Sequence, residues 1–218
     1  MNVYTFYSET HKVFFPWFDT LKDVDPTAIV KYCEVPQVCP SGAFAQEGWN
    51  EAMAEKLKHV LSAYSDEGDS FIYSDLDVQF FSPVTTLAAR ALQNHDIVFQ
   101  NDYYGDKCAG FFYCKKNEKT KRMFEHALEI ISRFRDDQPA IQHVLRTTCT
   151  DVSTALLPPQ FFTFGMFYDH WKGQEVFPLP PGIVVHHANW VEGIDNKLKL
   201  LQAVRNNFNN NNFLNDRF

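Results

Sequence analysis

The stretch Ser70-Phe71-Ile72-Tyr73-Ser74-Asp75-Leu76-Asp77-Val78 decides how the chain is read. Phe71, Ile72 and Tyr73 form a short apolar run that follows the turn formers Asp66-Glu67-Gly68-Asp69, the pattern of a strand buried on both faces. That strand delivers two carboxylates, one residue apart, to the point where it leaves the sheet. In open α/β sheets ligands bind at the carboxyl ends of strands. Asp75 and Asp77 in extended backbone share a face, and like charges held that close are unfavourable unless a cation or a shared proton relieves them. Hard oxygen ligands of this kind suit Mg²⁺ or Mn²⁺, which keep coordination positions open for phosphate oxygens. The alternative for an isolated Asp-x-Asp is a turn or a helix cap, because the short aspartate side chain bonds nearby backbone N–H groups.

Upstream, Val3 to Tyr7 reads as a strand and Ser8-Glu9-Thr10 as a helix start ahead of Val13-Phe14-Phe15. Ala28 to Tyr32 is a second short apolar run, followed by an irregular connection punctuated by Pro36, Pro40 and Gly42. From Trp49, residues Met53, Leu57, Val60, Leu61 and Tyr64 follow the three-and-four spacing of one helical face. Downstream, a helix over about Val84 to Gln93, strands at Ile97 to Gln100 and Gly110 to Cys114, and helices from Glu118 to Arg135 and Asp137 to Leu145 continue the alternation. After Thr150, proline-rich text predicts short strands and long loops, with a last strand at Ile183-Val184-Val185 and a last helix from Asn196 to Val204. Repeated strand-helix pairs predict a single α/β domain over residues 1–205, a sheet with parallel strands and helices on both faces. The asparagine-biased residues 206–218 read as a frayed, low-complexity tail.

A chain of 218 residues is long enough for one domain with a sizeable core. Acidic residues outnumber basic ones, 27 to 20, for a net charge of −7, which excludes the basic footprint of a general nucleic-acid binder. A hydrophobic content of 45%, including 21 Phe, excludes the disordered class. No apolar run approaches the roughly 20 residues that span a bilayer, and no basic start leads into an apolar signal core. The expectation is a cytoplasmic protein without an integral membrane segment. Cys33, Cys39, Cys108, Cys114 and Cys149 are odd in number and lack any CxxC spacing, so free thiols are expected, with a Cys33–Cys39 bridge as the alternative.

A second constellation, His186-His187-Ala188-Asn189-Trp190-Val191-Glu192-Gly193-Ile194-Asp195-Asn196-Lys197, also follows an apolar strand. It supplies an imidazole, an amide, a glycine and a lysine within one turn and the start of a helix. Imidazole suits Mn²⁺ as well as Zn²⁺, and a lysine near a helix N-terminus suits phosphate. Two histidines beside a valine run are otherwise partly buried and satisfied within the protein.

Taken in order, these segments resemble the nucleotide-diphospho-sugar transferases of the GT-A (Rossmann-like) type, most nearly glycosyltransferase family 77 with kinship to family 8. The resemblance rests on Val3-Tyr4-Thr5-Phe6, Cys39-Pro40-Ser41-Gly42-Ala43-Phe44, Gly48-Trp49 with Lys56, the Asp75-Leu76-Asp77 element, Ala109-Gly110-Phe111-Phe112, Asp137-Gln138-Pro139-Ala140, and His187-Ala188-Asn189 with Gly193 and Lys197. It implies a mixed, mostly parallel sheet flanked by helices, and a metal-dependent transfer of sugar from a nucleotide diphosphate, UDP foremost, to a hydroxyl of a glycan, protein or small-molecule acceptor, with retention at the anomeric carbon. It implies Asp75, Asp77 and His187 as ligands of Mn²⁺ or Mg²⁺, His186 being the less favoured neighbour, and Lys197 as a second positive charge on the leaving diphosphate. The resemblance places the base and ribose at Tyr7, Ser8 and Thr10, and the rest of the donor against Lys56, Asp75, Ala109, Gly110, Asn189 and Gly193. Asp137 would orient donor hydroxyls and Gln138 would stand beside the reacting carbon. Cys108 departs from the asparagine usual at its position, so the sugar is left open.

Ordinary readings stand beside several of these. Lys56 reads equally as a solvated helix lysine, and Asp136 or Asp137 before Pro139 as a helix N-cap. The aromatic segment from Phe161 to Trp171 reads as an acceptor platform or, preferably, as packing. A phosphatase of the haloacid-dehalogenase type would use Asp75 as nucleophile and Asp77 as general acid, but that motif normally stands on the first strand. A binding module that kept the fold without turnover is the non-enzymatic alternative.

Overall fold

The computed structural model describes residues 1–40, 46–134, 136–168 and 170–215. Residues Ser41 to Phe44 of the resemblance and Arg135, the expected end of a helix, lie outside them. In chain order the elements are β1 (Asn2–Tyr7), α1 (Phe15–Phe18), α2 (Thr20–Val24), β2 (Ile29–Glu34), α3 (Trp49–Ser62), β3 (Ser70–Ser74), β4 (Val78–Phe80), α4 (Thr85–Ala91) and β5 (Ile97–Asn101). They continue with β6 (Lys107–Lys115), α5 (Glu118–Ile130), α6 (Asp137–Thr147), β7 (Thr154–Leu156), β8 (Phe161–Thr163), α7 (Gly165–Tyr168), β9 (Val185–His187) and α8 (Ile194–Asn215).

The main sheet has six strands in the order β2-β1-β3-β6-β5-β7. β1 pairs in parallel with β2 and β3, and β5 with β7, whereas β6 runs antiparallel to both of its neighbours. The sheet is mixed and mostly parallel, as the GT-A resemblance implies; the alternation of elements predicts its parallel pairs and not the antiparallel β6. A second sheet of three strands, β4-β9-β8, lies beside it.

Alternation along the central strands divides the core. Val3, Ile72, Val98, Phe111 and Tyr113 face a cluster completed by β4, β8, β9, α4 and α8, while Tyr4, Phe71, Tyr73, Phe99 and Phe112 face α3, α5 and α6. Helices therefore cover both faces of the sheet, which is why β3 and β6 read as unbroken apolar runs. In α3 the expected stripe is buried at Met53, Leu57 and Val60. Asn117 and Thr120 close a reciprocal capping box at the start of α5.

Three stretches differ from the sequence reading. α5 ends at Ile130 and gives way to a single 3₁₀ turn, Ile131–Arg133. Ser8 precedes a 3₁₀ turn, Glu9–Phe14, and makes no side-chain cap to it. The asparagine-rich run does not fray after Val204: α8 continues to Asn215. Asn207 Nδ2 donates to the carbonyls of Glu175 (2.7 Å) and Ala203 (2.8 Å), its Oδ1 accepts from Phe177 N, and the Phe208 ring lies 4.5 Å from that of Phe81. All five cysteines are free, as expected.

Candidate active site

Strand pairing brings together residues that are more than a hundred positions apart. β3 ends at Ser74, and Asp75 N donates to Gly110 O (2.7 Å), which hooks the exit of β3 onto β6. The chain then enters β4, whose Val78 stands opposite His187 of antiparallel β9, while Ala188 N donates to Asp77 O (2.9 Å). One ligand atom from each of Asp75, Asp77 and His187 lies within 4.8 Å of the others. His187 Nε2 is 3.3 Å from Asp77 Oδ1 and 3.9 Å from Asp75 Oδ2. His186, one residue earlier, points to the opposite side of β9, where it is fully buried beside Gln79. Burial, aided by the neighbouring His187, pushes its pKa down to about 3.

Two oxygens and an imidazole nitrogen are a donor set that a divalent cation accepts. The backbone leaves room around them. A Cβ on Gly110 would collide with the His187 ring and come within 2.6 Å of Asp75 Oδ2. Burial raises the pKa of Asp77, but the charges of Lys197 and His187 outweigh it and hold the carboxyl well below the usual carboxylate range. Lys197 Nζ lies 2.5 Å from Asp77 Oδ2, reaching it from the first turn of α8. The residues fit a bound divalent cation.

Lys56 is not solvated. It is 3% exposed, with Nζ 3.0 Å from both Asp75 Oδ1 and Asp137 Oδ2 and 5.0 Å from the centre of the Tyr73 ring. Burial lowers its pKa, yet Asp137 and Asp75 together raise it above the ordinary lysine value. Asp136 caps α6 by accepting from Asp137 N (3.0 Å), so capping and site geometry coexist there. Burial, with the adjacent Asp137 charge, pushes the Asp136 carboxyl up to about 8, while Lys56 acts in the opposite direction.

Asp102, at the end of β5, joins the remaining parts. Its Oδ2 accepts from Gln138 Nε2 (3.4 Å), and its Oδ1 accepts from Asn189 Nδ2 (3.4 Å) and from the indole N–H of Trp190. Gln138 Oε1 in turn accepts from Ala109 N (3.2 Å). Trp190 is the one non-glycine among the described residues with a positive φ, 60°, and its indole packs over Gly165, where a Cβ would clash. Burial, with the Asp102 charge second, raises the Cys108 thiol well above its ordinary value, which keeps it protonated.

These groups line one cavity of about 480 Å³. Tyr7, Ser8, Lys56, Asp75, Asp77, Ala109, Gly110, Asp137, Gln138, His187, Asn189, Gly193 and Lys197 all border it. Thr10 does not: its N–H and Oγ1 both donate to Gln37 Oε1, at 3.0 and 3.1 Å, and His11 lines the cavity in its place. Phe161, Phe162 and Phe164 are buried, so this part of the aromatic segment packs. Sequence reasoning missed Asp102, Trp190 and Gln100. A signal existed for Asp102, another carboxylate where an apolar strand ends, but none for the others.

A family model described as nucleotide-diphospho-sugar transferase matches residues 25–201. No curated protein sequence matches the chain. Among solved structures, the galactosyltransferase LgtC, crystallised in complex with donor and acceptor sugar analogues, is similar, with a TM-score of 0.53 at 13% identity over 86% of each chain. Identity that low speaks for the fold alone, and the fold is GT-A. No helix among the described residues is long and apolar enough to cross a membrane. The family match does not favour the phosphatase or the binding module, and with most of the sequence inside it, the chain belongs to the nucleotide-diphospho-sugar transferases and is a glycosyltransferase.

Proposed function

We propose that the enzyme transfers a sugar from a UDP-linked donor to a hydroxyl acceptor in a reaction that depends on Mn²⁺ or Mg²⁺ and retains the anomeric configuration. The observation that carries this reading is the convergence of Asp75, Asp77 and His187 on the wall of a cavity that Lys197 also borders. An acidic protein with these groups attracts a dianionic donor through a cation and two lysines rather than through net charge. When bound, the ion supplies Lewis-acid stabilisation of charge on the departing diphosphate.

Lys197 is the residue placed to add a second positive charge to that leaving group. It lies on the first turn of α8, partly exposed and paired with Asp77, and a bound diphosphate would compete with that carboxylate for its ammonium. Tyr7 and Ser8 at the end of β1 hold the base and ribose, and Thr10 supports that loop through Gln37. Asp137 accepts hydrogen bonds from donor hydroxyls, its carboxylate fixed by Lys56. Gln138, held by Asp102 and Ala109, presents its amide to the reacting carbon. The acceptor oxygen bonds that carbon as its bond to the diphosphate breaks. The bonding pair leaves with the phosphate oxygen, which also takes the acceptor proton.

A screen of nucleotide sugars tests the proposal. Purified protein should release free sugar from a UDP-linked donor, read by mass spectrometry, when Mn²⁺ is added, and should not do so in chelator. Hydrolysis at the same rate in chelator contradicts it, and binding of UDP with no release from any donor supports a module without turnover.

A further inference from the structure

We infer that Gln100 is a positioning residue for the metal centre: it fixes His187 with a proton on Nδ1 and so commits Nε2 to the cation. This rests on the metal reading above. Gln100 is fully buried at the end of β5, where the β5–β6 register jumps from Phe99 opposite Phe112 to Gln100 opposite Cys108. Such irregularities re-aim a side chain out of the regular alternation.

The amide of Gln100 has one orientation open to it. Its Nε2 donates to the carbonyls of Phe161 (3.2 Å) and Phe162 (3.3 Å), both on β8. Exchanging oxygen and nitrogen would set an oxygen against two carbonyl oxygens, which repel it. Gln100 Oε1 therefore faces His187 Nδ1, 3.2 Å away, and an oxygen there only accepts. The proton must be on Nδ1. That leaves Nε2 as the nitrogen facing Asp77 and Asp75, the one open to a cation bound between them.

The other neighbour of Nδ1 is Cys108 Sγ, 3.7 Å away, a longer contact and a weaker acceptor. The Cys108 sulfur is already approached by Gly110 N at 3.4 Å. A histidine ligand whose second nitrogen donates to a fixed oxygen is held in tautomer and ring orientation, and removal of such a partner costs about 10- to 100-fold in metal affinity. β8 supplies no ligand, yet through Gln100 its two carbonyls set the orientation of one.

The test is a double-mutant cycle read as Mn²⁺ affinity by electron paramagnetic resonance, with Mn²⁺ alone and without donor. Gln100→Leu, of similar volume, should weaken Mn²⁺ binding about 10- to 100-fold in the wild-type background and have no further effect in His187→Ala. Equal losses in both backgrounds, or no loss in the first, overturn the role of Gln100 while leaving the metal site standing. No Mn²⁺ binding by the unaltered chain overturns the site and this inference together. A second measurement needs no variant: with Co²⁺ bound, His187 of the unaltered chain should give one slowly exchanging, hyperfine-shifted ring N–H resonance, from Nδ1 buried against Gln100. Its absence contradicts the proposal.

Discussion

Lys56 and Asp137 form a 3.0 Å ion pair in which each side chain is only 4% exposed, and the same ammonium reaches Asp75. α3, which precedes the central strand, is thereby tied to the start of α6. Removing one partner of a buried pair leaves the other charge uncompensated, at a cost of about 3 to 5 kcal/mol. Lys56→Met should lower stability by that amount in urea unfolding with chelator present. A loss under about 1 kcal/mol, the size of an exposed pair, would show that the pair is solvated in solution.

Gly110 lies against His187 and Asp75, two of the proposed cation ligands, and it needs space rather than an unusual φ. Gly110→Ala should abolish Mn²⁺ binding, because the His187 ring and Asp75 must move away from the new methyl group. Overpacking should cost about 1 to 3 kcal/mol, so the protein stays folded. Mn²⁺ titration alongside thermal unfolding checks both, and an Ala variant that binds Mn²⁺ normally would contradict the geometry.

Gln138 is held at both ends of its amide, by Ala109 N–H and by Asp102. Gln138→Ala should lower kcat by about 100- to 1,000-fold if it stabilises the reacting centre, a larger effect than on donor affinity. Steady-state kinetics across donor concentration separates the two, and an unaltered kcat would remove Gln138 from the reacting carbon.

Asp136 should make stability fall as pH rises. Its folded pKa, about 8, lies above the unfolded value of about 4, so between these limits the folded chain holds a proton that the unfolded chain has released. The penalty is absent below about pH 4 and complete above about pH 8. Asp136→Asn keeps an N-cap and should flatten this part of the profile. Denaturant unfolding from pH 5 to 9 measures it, and identical slopes in both proteins would contradict the assignment.

The central strand, the helices over α3 and α5, and the meeting of Asp75 with His187 were legible because each rests on a local pattern or on an ordered set of motifs. Lys56 was not resolved between solvent and site, since its burial depends on Asp137, some eighty residues later. Gln100 and Trp190 carry no local signature: one is aimed by a register jump, the other by a positive φ and a gap over Gly165. The asparagine run misled because composition is silent about Asn207 and Phe208, which anchor the helix to its neighbours. Thr10 was drawn to the cavity by its position in the loop, whereas Gln37 takes both of its polar groups.

Calorimetric titration of UDP into the protein, with Mn²⁺ and with chelator, for the wild type and Asp77→Ala, tests the account most directly. UDP should bind the wild type only with Mn²⁺, and the folded Asp77→Ala protein should not bind it under either condition. Equal UDP affinity in the two proteins, or wild-type binding untouched by chelator, would contradict a cation held by Asp75, Asp77 and His187.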